Sequence, residues 1–99
     1  MLYIIIGRDK TNSLSERLAV RPLHLQRIEA LLSSGRLIIG GPMPAIDSDN
    51  PGEAGFLGSV IIAEFESLEA ATDWAKADPY YTEGVFESLE VQPFKQVLP

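Results

Sequence analysis

The chain has 99 residues, 45% hydrophobic and 22% charged, with no cysteine. That is the size of a single domain, residues 1–99, built on one core, with no disulfides and no thiolate metal ligands, and the expected compartment is the cytoplasm. A formal net charge of −6 argues against nonspecific binding to nucleic acid or to an anionic membrane, because both rest on basic surface. The charge is unevenly placed, however. Arg8, Lys10, Arg17, Arg21, Arg27 and Arg36 all precede position 37 and outnumber the acids there, so a small anionic ligand could use the first third of the chain.

In chain order, residues 2–6 (LYIII) read as a strand covered on both faces and ended by Gly7; the apolar run is far short of the roughly 20 residues that span a membrane. Residues 9–12 form a polar turn. Ser13 and Glu16 have capping-box spacing, which predicts a short helical segment that is interrupted or kinked near Arg21 and Pro22. The main helix then starts at Pro22 and runs to about Ser34. Leu25, Ile28, Leu31 and Leu32 form its apolar stripe, and Gly35 ends it.

A second strand is expected over residues 36–40, stopped by Gly40, Gly41, Pro42, Met43 and Pro44. Residues 43–58 read as a long loop. Its acids fail the calcium-loop pattern, since Gly58 stands where a bidentate Glu is required, and its glycines fit neither the dinucleotide nor the P-loop spacing. It is either a surface loop shaped by turn residues or an anion-binding nest.

Residues 59–65 (SVIIAEF) make the strongest strand. Ser67 is the expected N-cap of a helix over residues 68–77 with Leu68, Ala71 and Ala75 buried. Pro79 pushes Asp78 out of the α region, so Asp78 can cap a further short turn that Gly84 ends. The last strand is residues 85–92, and a tail begins at Pro93.

The order β-α-β-β-α-β predicts a ferredoxin-like α+β sandwich, with helices on one face of a mostly antiparallel sheet. LYIII and VIIA are apolar on successive residues, yet the chain is too short to supply a third layer. Self-association through the uncovered sheet face, most simply as a homodimer, is therefore expected.

The segments RLAVRPLHL (17–25), GGPMPAIDSDNPGEAGFLGSVIIAEFESLEAA (40–71) and WAKADPYYTEGVFESLEVQPFK (74–95) closely resemble the YCII-related family. The resemblance implies a dimeric ferredoxin-like α/β fold, similar to the barrel-forming dimers that include muconolactone isomerase and some small oxygenases. It also implies an active site centred on the histidine of RPLHL and the aspartate of DPY, His24 and Asp78 here. One member of that family is a dehydrochlorinase of a chlorinated hydroxyhydroquinone, which implies proton-transfer chemistry on an acidic cyclic compound.

A neutral imidazole oriented by a carboxylate moves a proton near neutral pH with no cofactor, and this suffices for proton abstraction, isomerisation or elimination. Against this, a lone histidine at a helix flank can be structural, and Asp before Pro can be only a cap. The two side chains are expected within hydrogen-bond reach. If the helix were regular through Pro22, Arg17, Arg21 and His24 would form one edge, and the two arginines could bind a substrate anion; pairing with neighbouring acids is the plainer account. Gly41, Pro42 and the 43–58 loop are expected to border the pocket. Tyr3, Trp74, Tyr80 and Tyr81 read mainly as packing. Ser59 has no nucleophile-elbow context, and a single histidine with scattered carboxylates predicts no metal site. The competing reading is a noncatalytic oligomeric module that binds an acidic metabolite.

Overall fold

Burial alternates along the first strand: Tyr3, Ile5 and Gly7 are buried, whereas Leu2, Ile4 and Ile6 are half-buried. A period of two gives the strand one face toward helices and one away. In the computed structural model, which describes residues 1–99, this strand is β1 (Leu2–Asp9). It is followed by α1 (Leu14–Ser33), β2 (Leu37–Pro44), a single tight turn at Gly52–Ala54, β3 (Phe56–Glu64), α2 (Leu68–Lys76), α3 (Pro79–Thr82) and β4 (Phe86–Phe94). The strands lie in the order β2-β3-β1-β4 with every neighbouring pair antiparallel, which is the expected ferredoxin-like sandwich.

Tyr3, Ile5, Ile61 and Ala63 of the sheet meet Leu31 of α1 and Ala71 and Ala75 of α2 in the main core, with Phe65 beside them. Tyr80, Val85 and Phe86 form a smaller cluster at the other end. Gly7 is required there, because a Cβ on it would fall 2.3 Å from the Phe86 ring. On the opposite sheet face, register aligns Ile4 with Ile62 and Ile6 with Val60, and Ile39 with Ile62. No helix covers that face, and Ile39 is 60% exposed.

Several boundaries differ from the sequence reading. The helix is not broken at Pro22: α1 runs unbroken through it. Proline removes only one backbone bond, to Leu18, and both residues are exposed, so the Leu18 carbonyl need not be paired within the protein. The capping box does not form either, since the Ser13 hydroxyl donates to the Lys10 carbonyl at 2.7 Å and caps no N–H. Gly40 to Pro44 do not stop the second strand but belong to β2, with Pro42 paired to Ser59. As an edge strand β2 has one unpaired side, where missing N–H groups cost the ladder nothing. The same holds for Pro93 in β4, the other edge. Extension of β2 and β3 shortens the expected long loop to residues 45–55. Leu32 is 62% exposed and Leu68 is 44% exposed, so neither joins a buried face. The caps of α2 and α3 form as expected: Ser67 Oγ accepts from the Ala70 N–H and Asp78 Oδ1 from the Tyr80 N–H.

Candidate active site

Because α1 is continuous, positions 17, 21 and 24 fall on one edge of it, and all three side chains line one cavity of about 320 Å³. The cavity lies between α1 and the β2–β3 side of the sheet. Leu25, Ile28, Phe56 and Ile61 make its apolar walls, Gly40, Gly41 and Pro42 its rim along β2, and Tyr80 its end. The volume suits one ring-sized ligand. Gly41 and Pro42 are where the sequence placed them; residues 43–55 take no part in the lining, and from that stretch to Gly58 only Phe56 does.

His24 and Asp78 come from different elements and meet. The imidazole Nδ1 is 2.9 Å from Asp78 Oδ1 and 2.8 Å from Oδ2, with both residues buried. The cap fixes the carboxylate: Asp78 sits in extended backbone before Pro79, and its Oδ1 also accepts from the Tyr80 N–H at 2.8 Å. The ring of Tyr80 then stacks on the imidazole, centroids 4.0 Å apart and planes 19° from parallel. Capping and orientation of the histidine are thus one arrangement, and Asp78 does both. With Nδ1 on the carboxylate, Nε2 is left without a protein partner on a side chain that lines the cavity.

Arg17 does not present a free cation to the cavity. Its Nη1 donates to both Asp9 oxygens, at 3.1 and 3.2 Å, and its Nη2 donates to the Gly58 carbonyl at 3.2 Å and to the Ser59 hydroxyl. Its guanidinium also lies 4.6 Å from the centroid of the Tyr80 ring. The pairing with an acid is therefore internal rather than at the surface. Arg21 lines the same cavity, is exposed, and makes no ion pair with the protein. Of the two expected anion binders, Arg21 is the one with no ion pair to the protein.

Burial lifts the Asp9 carboxyl above its ordinary value, against the charge and hydrogen bonds of Arg17. Burial likewise raises the Tyr80 phenol, with Arg17 and Arg21 opposing. Ser59 is held by Arg17 and not by the imidazole, so no serine triad exists. No three His, Cys, Asp or Glu side chains converge as a metal site.

Tyr80, read from the sequence as packing, contacts the histidine directly, and its place in DPYY beside the capping aspartate was the available signal. Arg27, three residues after His24 and 3.5 Å from Asp78, was not singled out, although helical spacing puts it one turn from His24.

A family model for the YCII-related domain matches residues 1–95. The chain is 60% identical to Protein YciI of Escherichia coli O6:H1 over 97 residues, covering 98% of this chain and 99% of that one. It is 53% identical over the same length to an uncharacterized protein of Haemophilus influenzae, again covering 98% and 99%. A solved structure of similar fold is the 5-chloro-2-hydroxyhydroquinone dehydrochlorinase (TftG) of Burkholderia phenoliruptrix AC1100 in complex with 2,5-dihydroxybenzoquinone. It superposes with a TM-score of 0.83 at 27% identity, covering 96% of this chain and 94% of that one.

Proposed function

The chain belongs to the YCII-related family, and from that premise we propose that it is a cofactor-independent enzyme of proton abstraction, isomerisation or elimination on an acidic cyclic compound. The observation that carries the reading is the buried His24–Asp78 pair, with Nδ1 on the carboxylate, Nε2 without a protein partner, and the histidine lining a ring-sized cavity. An Nδ1–H donated to Asp78 leaves a lone pair on Nε2, which accepts a proton from substrate carbon or oxygen; Asp78 stabilises the imidazolium so formed. Return of that proton to a different atom completes an isomerisation. Departure of a halide with the bonding electrons completes an elimination, and the proton then leaves to solvent. Arg21 pairs with the substrate's phenolate or carboxylate through its unused donors. Structural likeness to a dehydrochlorinase supports this class of chemistry.

The same reading makes the protein a cytoplasmic homodimer. Ile4, Ile6, Ile39, Val60 and Ile62 form an apolar sheet face that one chain leaves uncovered, and a second copy is the economical cover. A clean monomer in sedimentation at micromolar concentration would contradict the dimer.

The catalytic reading is tested by following turnover across chlorinated hydroxyquinols and other acidic cyclic compounds, beginning with chloride release from 5-chloro-2-hydroxyhydroquinone. Wild type turns over a member of the panel, and His24→Asn, with unchanged circular dichroism, is slower by about 10²-fold or more. Saturable binding by both proteins without turnover by either would instead establish a module that binds an acidic metabolite.

A further inference from the structure

Asp78 has a third cationic or N–H neighbour, and this one stands outside the cavity lining. Arg27 Nη1 donates to the Trp74 carbonyl at 2.9 Å and lies 3.5 Å from Asp78 Oδ2, while its guanidinium rests 4.3 Å from the centroid of the Trp74 ring. His24 and Arg27 are one turn apart on α1; Trp74 and Asp78 are four residues apart across the end of α2. Two side chains on one helix therefore meet two groups on the facing element. An arginine side chain ordinarily has rotamers to choose from, but here an aromatic face and a carbonyl fix it.

A buried carboxylate by itself favours the imidazolium, and a histidine that is already protonated cannot act as a base. A second cation against the same carboxylate opposes that tendency, because it shares the negative charge and repels a proton on the ring. The other charged or titratable groups around the pair do not substitute for it. Arg17 of α1 is neutralised by Asp9 of β1, Arg21 of α1 lies on the ligand side, and burial holds the phenol of Tyr80 of α3 neutral. Among the arginines, only Arg27 forms an ion pair with Asp78.

We propose that Arg27 is a positioning residue: clamped on Trp74, it sets its fixed charge against Asp78 and so weakens the pull of that carboxylate on a proton at His24. Its catalytic meaning rests on the acid/base reading above, whereas its electrostatic effect does not.

His24 is the single histidine of the chain, so the pH titration of its ring signals by NMR reads the effect without any substrate. Two neutral replacements serve: Arg27→Gln, which keeps polarity, and Arg27→Met, which keeps the aliphatic packing on Trp74. In either, the protonation midpoint of His24 moves to higher pH by about 0.5 to 1 unit relative to wild type. Arg27→Lys keeps the charge and holds the midpoint close to wild type. A midpoint that does not rise in a folded neutral variant, or that rises as far in Arg27→Lys, overturns the proposal. Failure of the acid/base reading would appear as absent turnover with the midpoint shift intact, so the two failures are distinguishable.

Discussion

Two buried pairs flank the ring of Tyr80, and α1 supplies one member of each. At one, Arg17 meets Asp9 of β1, with side chains 4% and 3% exposed; at the other, His24 meets Asp78 before α3, at 9% and 4%. Burial is nearly the same and the chemistry is not. Arg17 cannot give up its proton, and its two Nη groups donate to Asp9, Gly58 and Ser59, so the pair holds β1, β3 and α1 together. His24 uses one ring nitrogen for its partner, and the other has no partner in the protein. Of the two pairs, only the one with a titratable ring and one open valence has a group that can exchange a proton with a ligand.

The sharpest way to break the comparison is Asp9→Ala. It leaves the buried Arg17 charge without its counter-ion, which costs about 3–5 kcal/mol. Chemical denaturation of this variant should show a loss larger than that of any replacement at His24. Equal losses would mean that the two pairs do not differ as described.

Next in size is Asp78→Ala, which removes the cap of α3 for roughly 1–2 kcal/mol. Asp78→Asn keeps an acceptor for the Tyr80 N–H and is destabilised less, yet it lacks the charge that supports an imidazolium. On the proposed acid/base reading both variants should lose turnover, so denaturation midpoints that differ beside activities that do not would separate capping from acid/base support. Full activity in Asp78→Asn would reduce Asp78 to a cap.

The smallest effect is at Tyr80, between the pairs. Its phenol is raised above the ordinary value of 10.0. Above that pH the unfolded chain releases a proton that the folded chain retains, so stability falls as pH rises toward the folded value. Denaturation midpoints measured across this alkaline range should fall less steeply for Tyr80→Phe. Identical slopes would remove the phenol from the account.

The sequence made much of this visible. β-branched runs, the Ser67 and Asp78 caps and the apolar spacing of α1 gave the order of elements, because each is a local signal that tertiary packing reinforced. Local rules failed where context outweighed them. Pro22 reads as a break but lies on the solvent side of a long helix, and Pro42 and Pro44 read as a stop but lie on an edge strand, where a proline is tolerated. In the site, RPLHL and DPY led to His24 and Asp78. The acid that pairs with Arg17 was not legible, because Asp9 is in another element and nothing in the spacing of residues 9 and 17 reports that β1 and α1 bring them together. Arg27 looked like any helical arginine until Trp74 was placed under it.

The most direct test of the central claim is the tautomer of the single histidine, read from its two ring ¹⁵N shifts near neutral pH. The account predicts a proton on Nδ1, in slow exchange and bonded to Asp78, and a lone pair on Nε2 whose shift changes when 2,5-dihydroxybenzoquinone is added. A ring protonated on Nε2 instead, or an Nε2 shift that stays fixed while the quinone binds, would contradict it.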